Sequence, residues 1–350
     1  MKRPALRDRC RELRPACFAP VMATGIVSKA LAQSGARTVS LLLFGIAAAL
    51  YLALLVAAGL KAAYHPDALR AELAGPDRLF GHFTLVAAGG VLAGRLDHGT
   101  VRLAAGALLA LAGTVWAALA GAAARLLRRG ARTALRQADG TWFLATVGLQ
   151  SLVLTGATLY PSRPVLATAL ALWTTGVLLY AATLTAVARR LRHAPPAPAD
   201  LASPYWITMG AVAISVLTGA HLLGRTALLP HPARTPLAVA VTGLWAWATA
   251  LIPVLLAAGV WRHRRHRVPL GCEPALWSIV FPVGMYATAT ARLAAARHLG
   301  PLAAARHPLA WTALAVWLTV TACRLHQVLP ATASPAPTGD RPVDMRDQGS

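Results

Sequence analysis

The polar groups that fall in or at the ends of the long apolar runs of this sequence are cations and neutral hydrogen-bonding groups, without acids. Lys29, Arg95, Arg225 and Arg292 bring positive charge to the ends of such runs, and His82 and His221 add imidazoles. Trp142, Gln150, Ser215 and Thr288 bring neutral N–H and O–H donors, while Gly25, Gly90, Gly148, Gly210 and Gly284 leave backbone uncovered. Donors and fixed cations together suit an anion that must be held weakly enough to leave again. The 12 acidic residues all lie outside the interiors of the runs. Cation channels and cation-coupled carriers usually place carboxylates within the membrane, so their absence argues against cation transport. It also argues against a membrane enzyme. Thr141, Trp142 and Gln150 could form a polar pocket, but no nucleophile–base pair or magnesium-holding acid accompanies them. Each residue also has a plainer reading: arginines reach headgroups, helix glycines let neighbours approach, and helix histidines are often simply packed.

The stretch LWSIVFPVGMYATATARL, residues 276–293, concentrates these features. Pro282 removes a backbone donor from mid-helix and frees the carbonyl of Ser278; Pro20 is expected to do the same to Ala16. Unpaired backbone is tolerated in a membrane where protein or water satisfies it. At helical spacing, Phe281, Met285, Thr288 and Arg292 share one face.

The elements that must position these residues are membrane helices. The chain has 350 residues, 57% hydrophobic and 13% charged, with a mean hydropathy of +0.55, outside the range of soluble globular domains. Apolar runs of spanning length recur at about 16–33, 39–61, 80–95, 101–124, 141–159, 165–188, 205–224, 237–260, 275–295 and 308–328. The expected fold is an all-α integral membrane protein of ten transmembrane helices in five tandem hairpins. Odd-numbered spans are rich in glycine and hydroxyl residues, and even-numbered ones in leucine and alanine. Five odd spans around a pore, shielded by five even ones, accounts for that difference. A basic segment (1–15) is expected before this domain (16–329), with no secretory signal, and a disordered tail (330–350) after it.

The net charge of +22 does not point to nucleic acid. Setting aside Lys29 inside the first span, 24 of the Lys and Arg residues fall on the side of the two termini and nine on the other. That asymmetry places both termini in the cytoplasm, in a multi-pass protein of the plasma membrane. Cys10, Cys17, Cys272 and Cys323 form no CxxC pair, so neither a metal site nor a disulfide framework is expected, and no cofactor is implied.

MATGIVS (22–28), GTWFLATVGLQS (140–151), PYWITMGAVAIS (204–215) and LWSIVFPVGMYATAT (276–290) resemble the tellurite-resistance/dicarboxylate transporter family. That family includes fungal malate permeases and sulfite efflux pumps and is related to the slow-type anion channels. The resemblance covers roughly residues 15–328 in order. It implies a homotrimer in the lipid bilayer, each subunit carrying small inorganic or organic anions through its own pore. It also implies a gate, with Phe281 as the plug beside Pro282. At Gly89–Gly90 this sequence lacks the polar amide usual in the family. The resemblance leaves open a passive channel, a sulfite efflux pump or a proton-coupled malate carrier, the last directing attention to His82 and His221. A non-transporting membrane protein would leave the five polar odd spans unexplained.

Overall fold

The computed structural model describes residues 10–96, 101–193, 203–229, 231–268 and 271–328. The predicted tail, most of the basic amino-terminal segment and residues 97–100 and 194–202 lie outside them.

Within the described residues the chain is helical, with no strand. The principal helices are α1 (Ala19–Gln33), α2 (Arg37–Tyr64), α3 (Pro66–Ala74), α4 (Phe83–Ala93), α5 (Arg102–Leu135), α6 (Leu144–Leu159), α7 (Arg163–His193), α8 (Ile207–Leu223), α9 (His231–Val260), α10 (Trp277–Arg297) and α11 (Arg306–Val328). Eight helical segments are long and apolar enough to cross a membrane, rather than ten. The two that fall short are α1 and α4, with 15 and 11 residues. Pro20 sits in the first turn of α1, where a missing N–H costs nothing, so it starts the helix instead of breaking it. The Ala16 carbonyl is not freed, because it accepts the Ala19 N–H at 3.1 Å. In α4, a 3₁₀ turn (Phe80–His82) splits the helical run before Phe83, and the helix stops at Gly94.

Burial divides the helices into two classes. In the long segments containing α6, α8 and α10, 83%, 89% and 67% of the apolar window is buried, against 17–28% in those containing α2, α5, α7, α9 and α11. Leu42, Val56, Leu103, Leu178, Val239 and Leu318 are exposed on the second class, as expected of helices whose outer faces meet lipid. The buried helices pack in a closed cycle, α1 on α4, α4 on α6, α6 on α8, α8 on α10 and α10 back on α1. Each outer helix packs on the inner helix preceding it in the chain.

Aromatic residues lock each outer helix to the following inner one. The indole N–H of Trp116 (α5) donates to the Ala145 carbonyl of α6 at 3.1 Å, and that of Trp173 (α7) to the Ser215 carbonyl of α8 at 2.8 Å. Trp245 (α9) donates to the Thr290 hydroxyl of α10 at 3.0 Å, and Trp317 (α11) to the Thr24 hydroxyl of α1 at 2.9 Å. Tyr51 of α2 occupies the corresponding place against Gly89 of α4. In a bilayer, where water cannot compete, such bonds both hold neighbours and fix their register.

Interior prolines occur in both classes: Pro282 in α10, and Pro236 and Pro253 in the outer helix α9. One expectation about the cysteines needs correction. The cysteines are not all free, because Cys272 and Cys323 form a disulfide with a Cα–Cα distance of 5.5 Å, tying the start of α10 to the end of α11. They are 51 residues apart, and only the antiparallel return of α11 brings them level.

Candidate functional site

The five inner helices run parallel, so all begin at one end of the ring. A cavity of about 700 Å³ opens there, lined near the helix starts by Pro20, Thr84, Thr141, Ile207 and Ser278 among others, with Glu12, Arg14 and Arg324 as its charged lining. Four of the helices start through a 3₁₀ turn that carries or adjoins an aromatic residue: Phe80–His82, Gly140–Phe143, Ser203–Trp206 and Pro274–Leu276. The rim is closely fitted. A Cβ on Gly140 would overlap the Pro204 carbonyl, and one on Gly81 would come within 2.9 Å of Pro15. Each helix start presents about half a positive charge from its unpaired N–H groups, so five together favour an anion in this vestibule.

Phe281 lies immediately beyond. Ser278 lines the vestibule and Phe281 follows at i+3, on the same face, but it is not part of the lining and is wholly buried. A side chain on Gly210 of α8 would meet the ring of Phe281 at 3.3 Å and Pro282 at 2.9 Å. Met285 and Thr288 continue the buried face, the Thr288 hydroxyl bonding back to the Gly284 carbonyl at 2.9 Å. Arg292, at the far end of that face, is half-buried.

Most of the sequence-selected glycines sit at seams between ring neighbours. A Cβ on Gly25 would meet Val91 of α4, on Gly90 Ser151 of α6, and on Gly284 Ile26 of α1, all within 2.9 Å. One on Gly148 would meet Trp116 of α5 and Phe83. Gln150 reaches outward, donating to the Trp173 carbonyl of α7 at 3.1 Å, with its carbonyl oxygen buried and unpartnered. Ser215 bonds back to Ala211 within its own helix. Trp142 stacks on Phe80 at 4.3 Å, and its buried N–H has no partner in the structure.

At the opposite end, where the inner helices stop, cationic groups gather. His221 contacts the Arg292 guanidinium at 3.4 Å and the Thr158 hydroxyl at 3.5 Å. Lys29, Arg225 and Arg292 all lie close enough to act on His221 electrostatically. Arg95 bonds the Ser40 hydroxyl at 3.0 Å.

His82 does not join this group. It lies near the vestibule end, its Nε2 3.3 Å from Glu72, which also grips Lys61 at 2.7 and 2.9 Å. Lys61 donates in addition to the Leu13 carbonyl at 2.6 Å. Glu72 and Lys61 are both buried, so a buried carboxylate does exist, beside the spans rather than within them. Sequence reasoning passed over it because Glu72 lies in the short helix α3, after the second apolar run. The available signal was a charge beside Leu69 and Leu73 on the apolar side of PDALRAEL. Thr146, whose buried hydroxyl has no partner, was likewise passed over. Among the described residues no group of three or more His, Cys, Asp or Glu could hold a metal ion.

Residues 12–325 match the family described as voltage-dependent anion channel. The chain is also similar to an uncharacterized membrane protein recorded in two strains of Mycobacterium tuberculosis. In each case the identity is 42% over 160 residues, covering 43% of this chain and 78% of the relative.

Proposed function

The chain belongs to the voltage-dependent anion channel family, and on that premise we propose that it conducts small anions along the axis of its five-helix ring, with Phe281 as the gate. The observation that carries this reading is the buried Phe281 ring directly behind Ser278, where the vestibule ends. A removable aromatic there closes the path, and the proline that follows loosens the helix at that level by removing one backbone bond. We take all ten apolar helices as spans, with α1 and α4 lengthened by the turns that precede them, and three such subunits as the assembly. Both termini face the cytoplasm of a plasma-membrane protein, as the arginine asymmetry indicates.

An interior-negative potential costs an entering monoanion about 2.3 kcal/mol per 100 mV. An uncoupled pore of this kind therefore favours export. Proton-coupled uptake of a C4-dicarboxylate such as malate is the second reading. The buried Glu72 beside His82 favours it, since a carboxylate–imidazole pair near the vestibule can take up and pass on a proton. Nothing at depth resembles an acid–base or metal-holding constellation, and the family's known members transport rather than catalyse.

The test is anion current through purified protein in a planar bilayer, wild type against Phe281→Ala, in chloride, nitrate, sulfite and malate salts. Current that appears or rises steeply only in Phe281→Ala supports the plugged pore. Silence in both, with proton-dependent malate uptake into vesicles that Glu72→Gln abolishes, replaces it with the coupled carrier. The proposed orientation puts Cys272 and Cys323 in a reducing compartment, where disulfides rarely persist. Thiol labelling in intact and lysed cells tests both the side and the state of the pair.

A further inference from the structure

We propose that a basic cleft between the ends of α5 and α7 binds the headgroup phosphate of an anionic phospholipid. The cleft encloses about 690 Å³, and Arg132, Arg136, Arg189, Arg190 and His193 converge on it. It lies on the outer surface of the helix bundle, at the same end as the vestibule but sharing none of its lining residues, and depends on the chain spanning a membrane but not on what passes through it.

The local sequence builds the cleft. The apolar run of α5 ends in RLLRRGARTALR, 125–136, and that of α7 in ARRLRH, 188–193, so both helices become cationic at one level. Gly130 adopts a non-helical backbone, φ −177° and ψ 69°, that kinks the helical run of α5. That break turns the last turns away from the axis of the span. Ala134 is buried as a result, and Arg132 and Arg136 line the same cavity as the arginines of α7. A straight helix would carry them onward into water.

Among the described residues no carboxylate pairs with this charge. Among the described residues the ion pairs are Lys61–Glu72, Arg70–Asp67, Arg78–Asp77 and His82–Glu72, and none involves this cleft. Arg190 uses part of its guanidinium on the Ala138 carbonyl at 2.9 Å. Arg132, Arg136 and Arg189 have no carboxylate partner among those pairs. Guanidinium forks match phosphate oxygens two at a time.

The walls identify a lipid rather than a soluble anion. Leu135, Ala182 and Ala186 also line the cavity, and the exposed apolar surface of α7 continues from there toward mid-span through Leu178. Acyl chains can follow that surface while the phosphate sits among the arginines. Basic pockets at the junction of two spans and the headgroup layer take such lipids.

The experiment follows thermal unfolding of the purified full chain in neutral detergent with added dioleoyl phosphatidylglycerol, dioleoyl phosphatidylcholine or inorganic phosphate. Phosphatidylglycerol is expected to raise the midpoint above that in phosphatidylcholine. The variant Arg132→Gln/Arg136→Gln/Arg189→Gln should lose at least half of that increment with its midpoint in phosphatidylcholine unchanged, and the corresponding Lys variant should keep most of it. An increment unchanged in the Gln variant overturns the proposal, as does one reproduced by inorganic phosphate alone. Should the triple Gln variant not fold, native mass spectrometry of the exposed single change Arg136→Gln decides. Fewer retained phosphatidylglycerol molecules than in wild type support the site, and an equal number overturns it.

Discussion

The two ends of the inner ring attract negative charge by different means. At the vestibule, five helices begin, and their unpaired N–H groups supply a positive field from the backbone. The side chains there are mostly small and neutral, such as Ser278, Thr84 and Thr141. At the other end the same helices stop, and the dipoles present their negative ends. Lys29, Arg225 and Arg292, gathered around His221, reverse that sign. A parallel ring of helices is electrically lopsided: cationic side chains reinforce the backbone field at the vestibule, where Arg14 and Arg324 sit beside Glu12, but must reverse it at the other mouth. The same charges also stabilise the helix ends as such, each by roughly 0.3–1 kcal/mol, so their presence serves folding as well.

The largest effect belongs to neither end. Phe281→Ala should raise anion current by about tenfold or more, equivalent to removing roughly 1.4 kcal/mol or more of barrier. A small rise would move the main barrier to one of the mouths. Next comes Arg225→Gln with Arg292→Gln, measured in the Phe281→Ala background so that flux is visible. Current should fall by about tenfold at low ionic strength, and the deficit should shrink in concentrated salt, because steering by exposed charge is screened. Gly140→Ala should disturb the vestibule rim, since its methyl would overlap the Pro204 carbonyl. Forcing such a contact costs about 1–3 kcal/mol, read as a lower unfolding midpoint in detergent. The smallest effect is expected from Ser278→Ala, a change in current of about twofold or less, because the helix-end field that serves that mouth does not reside in the hydroxyl. A loss there matching that of the arginine pair would break the contrast between the mouths.

Several parts of this arrangement were legible in the chain. Leucine- and alanine-rich runs announced the lipid-facing helices, and the glycine- and hydroxyl-rich ones announced the buried class, since each composition fits one solvent. The face carrying Phe281, Met285, Thr288 and Arg292 followed from a period of 3.6 residues. The roles of individual polar residues did not. Gln150 looked like a pore group, but its side chain is spent on α7, a direction set by how two helices are rotated rather than by the residue type. Gly25, Gly90 and Gly284 turned out to make the seams of the ring. The Tyr51, Trp116, Trp173, Trp245 and Trp317 series was hidden among the other aromatics of the outer helices, such as Phe44, Tyr180, Trp247 and Trp311, until the indole N–H partners of the four tryptophans were visible.

The sequence by itself determined that this is a chain of membrane helices in two alternating classes, that acid is kept out of their interiors, and which way its charge is biased. These are properties of composition and short-range period, which a bilayer reads directly through hydrophobicity and charge. Only the tertiary structure decided that α10 returns to α1 to close the ring, that Glu72 finds Lys61 and His82, that Cys272 meets Cys323, and that Gly130 turns Arg132 and Arg136 toward the arginines of α7. Each depends on the angle and depth at which helices far apart in sequence are docked. In lipid those are set by close packing and a few directed hydrogen bonds, neither of which leaves a periodic trace in the chain.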